Sequence, residues 1–160
     1  MSDTAHLTPA EVEADPLRLD LHLCFDLQNA SRAFGDVYRR VLHDTGLTYP
    51  QYLVMIVLWE HDELPVNGIS QLLRLDSGTL SPLLKRMEAA GLVTRTRSTV
   101  DERSVIVRAT VQGTALRERA KEIPDAIHAA AGLSQEEAQA LQHALRRLAA
   151  TLDASQVLPR

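Results

Sequence analysis

Hydrophobic residues recur at helical spacing in two short segments near the middle of the chain. The positions are Ile69, Leu72 and Leu73 in the first segment and Leu80, Leu83, Leu84 and Met87 in the second. Spacings of three, four and seven residues place apolar side chains on one face of a helix, which then packs against a core. Between the segments, Asp76 and Ser77 carry side-chain oxygens that can cap the second helix. The pattern predicts two helices joined by a tight turn.

The pattern changes after Gly91, a residue suited to ending the second helix because glycine readily adopts a left-handed conformation. β-Branched residues dominate 92–97 and 104–109, and a polar tip occupies 98–103, as in a β-hairpin. Pro82 cannot donate a backbone hydrogen bond, so we place it near the start of the second helix and expect local irregularity there. Two helices followed by a hairpin are the order of a winged helix-turn-helix, which puts one helix in the DNA major groove.

Hydrophobic stripes upstream of this module predict two more helices. The first stripe comprises Leu23, Leu27, Ala30, Phe34, Val37 and Val41. Alternate apolar positions in 17–27 also fit a strand, but the stripe continues to Val41, so we favour a helix that Gly46 ends. The second upstream helix is expected from about Pro50 to Glu60.

Downstream, a helix is expected from about Val111 to His128, with a kink at Pro124. A last helix opens with Ser134 and Glu137 at the spacing of a capping box and carries leucines at 141, 145, 148 and 152. Apolar stripes on terminal helices need a surface to cover, and a second copy of the chain supplies one.

These elements predict a mainly α (α+β) fold. Residues 1–15 are expected to be disordered or frayed, and 16–160 to form a single domain. Within it, a winged helix-turn-helix at about 50–110 lies between dimerisation helices at about 16–45 and 111–154.

Positive charge is concentrated in the central module. Residues 67–109 contain seven Lys and Arg against four Asp and Glu, a net charge of +3 in a chain whose net charge is −4. Such a distribution is typical of polyanion binding. Cysteine occurs once, no segment resembles a secretion signal, and no apolar run approaches the ~18 residues that span a membrane. We therefore predict a cytoplasmic homodimer that binds double-stranded DNA at a pseudo-palindromic operator and has no membrane partner.

Candidate DNA contacts lie on the second helix and on the hairpin. The helix presents to bases and phosphates the side chains of Ser77, Thr79, Ser81, Lys85 and Arg86. In the hairpin, Arg95 and Arg97 are expected to contact phosphates. Arg103, at the tip, is expected to enter the minor groove, where negative potential is concentrated. Asp101 is expected to orient Arg103 through a charge-assisted hydrogen bond.

Several segments resemble a known family. The sequence DSGTLSPLLKRMEAAGLVTRTRSTVDERSV, between helical arms, resembles the MarR family of bacterial transcription regulators. LCFDLQNASR at 23–32, GLTYPQYLVMIVLWEHD at 46–62 and LDSGTLSPLLKRME at 75–88 resemble its organic hydroperoxide sensors, the OhrR type. The resemblance covers about residues 17–153.

The resemblance implies a mechanism. In such regulators a reduced dimer represses a thiol peroxidase gene, and an organic hydroperoxide oxidises a cysteine of the first helix, so that the dimer releases DNA. That cysteine is Cys24 here, and the family's tyrosines that hydrogen-bond the sulfur match Tyr38 and Tyr49. Two residues near the sulfur bear on its reactivity, because Gln28 stands where the family often has an aromatic residue and Asp26 adds a carboxylate.

Helix geometry restricts how such a sensor is assembled. Fourteen residues separate Cys24 from Tyr38, and at about 1.5 Å per residue they lie roughly 21 Å apart on one helix. A Tyr38 that contacts the sulfur must therefore belong to another subunit. Because the chain has no second cysteine, a sulfenic acid at Cys24 would react with a low-molecular-weight thiol, a backbone nitrogen or more oxidant.

Two other interpretations remain open. A lone cysteine among apolar residues is most often a buried hydrophobe, and the protein would then be a MarR-type repressor released by a small phenolic or anionic effector. Alternatively, Cys24 is the nucleophile of a thiol peroxidase, although no Lys or Arg lies within one helical turn of it. The six histidines lack metal-binding spacing and no phosphate-binding loop occurs, so we expect no metal, no cofactor and no enzymatic activity.

Overall fold

A computed structural model describes residues 16–101 and 103–155, which form seven α-helices and a three-stranded sheet. In chain order the elements are α1 (Leu23–Val41), α2 (Tyr49–His61), β1 (Glu63–Pro65), α3 (Val66–Leu73), α4 (Ser77–Ala89), β2 (Val93–Arg97), β3 (Val105–Ala109), α5 (Val111–Ala120), α6 (Ile123–Ala131) and α7 (Gln135–Ala154). The predicted mainly α fold with a winged helix-turn-helix is confirmed. The prediction for 1–15 lies outside the described residues.

Local hydrogen bonds fix the turn between α3 and α4, the two helices of the helix-turn-helix. Arg74 ends α3 in the left-handed conformation, with a φ of 54°. Asp76 caps α4, because its carboxylate accepts hydrogen bonds from the Thr79 backbone N–H at 2.9 Å and the Thr79 hydroxyl at 3.0 Å. Such a cap satisfies N–H groups that the first turn of a helix leaves unpaired. The predicted cap at Asp76 is confirmed.

The apolar stripe of α4 is buried as predicted, at Leu80, Leu83, Leu84 and Met87. The predicted apolar stripe of α3 is only partly buried. Ile69 is buried but Leu72 is 54% exposed, so the prediction that Leu72 faces the core is wrong. The core contacts α3 along Val66, Ile69 and Leu73.

The prediction for Gly91, near the end of α4, is correct, and the prediction for Pro82 is wrong. Gly91 follows the end of α4 with a φ of 72°, as expected for a residue that ends a helix. Pro82 lies inside α4 rather than near its start, and the helix continues beyond it to Ala89. Packing of the buried stripe on both sides of Pro82 outweighs the one backbone hydrogen bond that proline removes.

The sheet has the strand order β1-β3-β2, and both pairs of strands are antiparallel. β2 and β3 form the predicted hairpin, with Val93 opposite Ala109 and Arg97 opposite Val105. β1 was not predicted, because it has three residues and ends in a proline. It pairs along β3 and ties the end of α2 to the base of the hairpin, the wing.

The helical arms differ from the prediction at their ends. A 3-10 turn at Leu19–Leu21 precedes α1, and a second one at His43–Thr45 follows it. α1 therefore ends at Val41, and Gly46 ends the second 3-10 turn rather than α1. The helix expected from about Val111 to His128 is two helices. α5 ends at Ala120, and α6 begins at Ile123 with Pro124 in its first turn.

The hydrophobic core is centred on the winged helix-turn-helix and extends into the adjoining ends of the arms. Its buried side chains run from Leu42 to Ile123 and come from the segment between α1 and α2, from α2 to α6, and from the sheet. α1 and α7 contain no buried residue, and Leu23 and Leu152 are about three-fifths exposed at 61% and 63%. No helix in 16–101 or 103–155 has both the length and the apolar character needed to cross a membrane.

Candidate DNA interface and redox site

A cleft of about 450 Å³ separates the helix-turn-helix from the wing. Its lining includes five predicted DNA-binding residues, namely Ser77, Ser81, Arg95, Asp101 and Arg103. Val66, Asn67 and Ser70 of α3 also line the cleft, and the sequence did not point to them. In sequence they are ordinary residues of a short helix, and only the fold of the wing against α3 brings them to the same cleft.

The exposed face of α4 carries the remaining helical candidates. Ser81, Lys85 and Arg86 are exposed and lie opposite the buried stripe. Thr79 is also exposed, but its hydroxyl donates to Asp76, so part of its hydrogen-bonding capacity serves the cap. Gly78 and Pro82 add little bulk to this face, which leaves the helix free to approach a DNA groove closely.

Side-chain to backbone hydrogen bonds shape the tip of the wing. The Ser98 hydroxyl accepts from the backbone N–H groups of Val100 and Asp101, each at 3.2 Å. The Asp101 carboxylate accepts from the backbone N–H of Arg103 at 3.0 Å. The expected bond from the Arg103 guanidinium to Asp101 is therefore replaced by a bond to the backbone, because an aspartate in a turn reaches the N–H two residues on. Asp101 shapes the loop that presents Arg103.

Arg95 is held by Glu88 and Arg97 points to solvent. The Glu88 carboxylate accepts hydrogen bonds from Nε and a terminal nitrogen of Arg95, at 2.9 and 2.7 Å, and from the Arg95 backbone N–H at 3.2 Å. These bonds hold the pKa of Glu88 below its ordinary value, so the carboxylate stays charged. Arg97, two residues further along β2, is exposed. Phosphate contact by either arginine stays a prediction.

Cys24 is exposed and lies in the first turn of α1. α1 is continuous from Leu23 to Val41, so the separation of roughly 21 Å along the axis to Tyr38 holds within one chain. Tyr38 instead packs on Tyr49, with ring centroids 4.3 Å apart and planes at 36°. The structure brings the two predicted tyrosines together and leaves the cysteine of the same chain far from them.

The two tyrosines belong to a larger aromatic cluster. Tyr52 lies 6.1 Å from Tyr38 and 6.4 Å from Trp59, measured between ring centroids. Burial, together with the neighbouring Tyr49, raises the pKa values of Tyr38 and Tyr52 above their ordinary value of 10.0. These phenols therefore remain protonated at neutral pH and are able to donate hydrogen bonds.

An apolar groove of about 460 Å³ opens beside this cluster, between α1, α2, α6 and α7. Phe34, Tyr38, Ile56, Leu141 and Leu145 are among the residues that line it. The sequence predicted Phe34, Leu141 and Leu145 as parts of helix stripes but did not predict the groove, which depends on how four helices pack. In 16–101 and 103–155, no three His, Cys, Asp or Glu side chains come together as metal ligands would.

Known proteins resemble this chain in sequence and structure. Residues 36–127 match the family described as transcriptional regulator SarA/Rot. The organic hydroperoxide resistance transcriptional regulator of Bacillus subtilis strain 168 is 44% identical over 142 residues, which cover 89% of this chain and 97% of the relative. Reduced AbfR bound to DNA, a protein of Staphylococcus epidermidis, has a TM-score of 0.74 and 37% identity, over 89% of this chain and 97% of its own. Overoxidised AbfR bound to DNA has a TM-score of 0.71 and 36% identity, over 87% and 96% of the two chains.

Proposed function

Because the chain belongs to the MarR-like winged-helix family of transcriptional regulators that includes SarA and Rot, we propose that it is a repressor that organic hydroperoxides inactivate through Cys24. The position of Cys24 carries the proposal. The only cysteine of the chain is exposed at the start of α1, outside the buried core, where an oxidant can reach it without unfolding the DNA-binding module. The name of the Bacillus subtilis relative supports an organic hydroperoxide as the oxidant.

In this proposal the repressor is a homodimer. α1 and α7 bury no residue within one chain, yet both carry exposed leucines, including Leu23, Leu141 and Leu152. A partner that covers these apolar faces removes them from water, which favours association. Two wings and two α4 helices related by a two-fold axis then meet two half-sites of a pseudo-palindromic operator.

The sensor is shared between the two chains. Cys24 is too far from Tyr38 of its own chain, and Tyr49, at the start of α2, packs on Tyr38, so both tyrosines lie near the far end of α1. When two α1 helices run antiparallel across the dimer, the sulfur of one chain meets the tyrosine pair of the other. Phenol hydroxyls donate hydrogen bonds to the sulfur and stabilise the negative charge that its reaction needs.

Oxidation of Cys24 and capture of the product by a thiol are two successive steps. The Cys24 thiolate attacks one oxygen of the hydroperoxide, so that an S–O bond forms, the O–O bond breaks and the alkoxide leaves and takes a proton from water. Cysteine is oxidised to a sulfenic acid and the hydroperoxide is reduced to an alcohol. A low-molecular-weight thiol next attacks the sulfenic sulfur, which forms a mixed disulfide and releases water.

The size of the adduct, rather than added charge, is the proposed cause of DNA release. Overoxidised AbfR is described as bound to DNA, which favours a mechanism in which a sulfinic or sulfonic acid alone does not release the operator. A mixed disulfide instead inserts a bulky group between α1 and the tyrosine pair. Displaced arms alter the spacing of the two α4 helices, and each half-site depends on that spacing.

Operator binding by the Cys24→Ser variant tests the proposal. The variant is expected to bind the operator like the wild type under reductant, and to stay bound after an organic hydroperoxide and a small thiol are added. Wild-type protein is expected to be released, with Cys24 carrying the thiol by mass spectrometry. Ser31→Ala, also on the exposed surface of α1, is the matched control and should be released like the wild type.

Release of the Cys24→Ser variant by the hydroperoxide would contradict the proposal. The apolar groove beside Tyr38 and Tyr52 favours one alternative, a repressor released by a small phenolic or anionic effector. In that case a non-oxidising phenol releases both proteins equally. A thiol peroxidase would instead consume hydroperoxide continuously with excess thiol, whereas a sensor reacts once per cysteine.

A further inference from the structure

We propose that Glu88 and Arg95 form a clamp that sets the position of the wing relative to α4, so that Arg95 is a positioning residue and not a phosphate contact. The inference rests on DNA binding by the reduced protein. It does not depend on the oxidation of Cys24.

Three hydrogen bonds make the clamp. Glu88 lies one residue before the end of α4 and Arg95 lies in the middle of β2. One carboxylate oxygen accepts two N–H groups of the guanidinium, at 2.9 and 2.7 Å, and the other accepts the Arg95 backbone N–H at 3.2 Å. Both side chains are about two-thirds buried, with exposed fractions of 38% and 30%. Paired charge-assisted bonds fix direction as well as distance.

The clamp connects the two elements whose relative angle determines the shape of the DNA-binding face. α4 and the wing form opposite walls of the 450 Å³ cleft, and Arg95 lines that cleft. Ser81 on one wall and Arg103 on the other must meet neighbouring grooves of one duplex at the same time. A change in the angle between the walls misplaces one set of contacts, and the bonds from Glu88 cross-link the two walls at their base.

If Glu88 is an ordinary surface acid, electrostatics predicts that its removal strengthens DNA binding, whereas the clamp predicts that its removal weakens it. DNA is a polyanion, so removing a negative charge beside its binding face strengthens association. A free Arg95 would also become available to a phosphate. Loss of affinity on removal of Glu88 is therefore a result that the clamp predicts and charge alone does not.

The experiment measures operator affinity of the reduced dimer at several salt concentrations. Glu88→Gln and Arg95→Lys are expected to weaken binding by roughly tenfold, the scale of a lost DNA contact, without changing the dependence on salt. Arg95→Lys keeps the positive charge but cannot make the two-pronged bond. Glu60→Gln, an exposed acid on α2 outside the cleft, is the matched control and should bind like the wild type. Arg103→Ala provides a reference for a direct contact, with a salt slope reduced by about one.

The outcomes separate the possibilities. Tighter or unchanged binding by Glu88→Gln, with Arg95→Lys also unchanged, would overturn the clamp and return Arg95 to the phosphate contacts. A salt slope lowered by Arg95→Ala would do the same. Thermal unfolding of each variant shows that the dimer is intact. If wild-type protein fails to bind its operator in the same titration, the proposed repressor itself is wrong, whatever the variants do.

Discussion

Gly113 occupies the most crowded position of any described glycine. A Cβ atom added there would lie 2.2 Å from the carbonyl oxygen of Leu92 and 3.0 Å from the methyl group of Met55. Its backbone is held on both sides, because its N–H donates to the Thr110 hydroxyl at 3.0 Å and its carbonyl accepts from the Trp59 indole at 3.1 Å. Only glycine allows the start of α5 to approach the base of the wing this closely.

Gly113→Ala is expected to lower the free energy of unfolding by about 1–3 kcal/mol, because the added methyl group must push the backbone of Leu92 or α5 aside. Urea unfolding of the reduced protein measures it. Gly68→Ala is the matched control, since Gly68 is also helical but an added Cβ meets nothing closer than 3.4 Å. The control should be unchanged or slightly more stable. An equal effect of the two substitutions would contradict the close approach.

Single residues could be predicted from the sequence where their partners lie within a few positions. Asp76 caps α4 through Thr79, three residues away, and the sequence identified Asp76 as a cap. The partners of Arg95 and Gly113 could not be predicted in this way. Glu88 and Leu92 lie seven and twenty-one residues from them, and they are brought close only when the wing folds back on α4 and α5.

At the scale of elements, carboxylates at helix ends connect stability to pH. Hydrogen bonds from the Thr79 backbone and hydroxyl lower the pKa of Asp76 below its ordinary value of 3.8, and bonds from Ser134 lower that of Glu137 below 4.5. A lowered pKa means that the folded state prefers the charged form. The resulting stabilisation is complete above the ordinary pKa and is lost as pH falls through the lower, folded value.

The Asp76→Asn variant tests the contribution of the Asp76 charge while keeping a side chain that caps α4. Asparagine caps helices well but does not titrate, so the variant keeps α4 capped. The wild type is expected to be more stable than the variant near neutral pH, and this advantage should shrink as pH falls through and below 3.8. Urea unfolding from neutral pH to about pH 3 measures it. An advantage that is constant with pH would show that the Asp76 charge does not contribute, and Glu60→Gln controls for general charge effects.

Elements with a long regular pattern were predictable, and elements defined by their neighbours were not. The stripe of α4 and the β-branched halves of the wing gave both elements correctly. β1 has three residues and exists because β3 pairs with it. The break between α5 and α6 has no strong local signal beyond Pro124, which starts α6 instead of bending a longer helix.

At the scale of the whole molecule, the proposed sensor takes its parts from two chains. Mixed dimers test this directly. In a dimer of a Cys24→Ser chain and a Tyr38→Phe chain, the one remaining sulfur faces the partner's Tyr38, which is unchanged. That sulfur is expected to react with an organic hydroperoxide at the wild-type rate, measured as the rate of sulfenic acid formation.

The reciprocal dimer is the control. It pairs a wild-type chain with a chain that carries both substitutions, so the one remaining sulfur faces phenylalanine and should react more slowly. A sensor contained within one chain would reverse the two results. Both dimers contain the same set of substitutions, so differences in composition cannot explain a difference in rate.

The distribution of the core has a consequence for how such regulators evolve. Every buried side chain in the described residues lies between Leu42 and Ile123, and α1 contacts this core at its C-terminal end, through Tyr38 and Val41. Substitutions in the rest of α1 and in α7 therefore leave the folding of the DNA-binding module largely untouched. Arms of this kind can accumulate changes in signal chemistry while the operator specificity encoded by α4 and the wing is retained. Selection can therefore act on what the protein senses and on which genes it controls as two nearly independent traits.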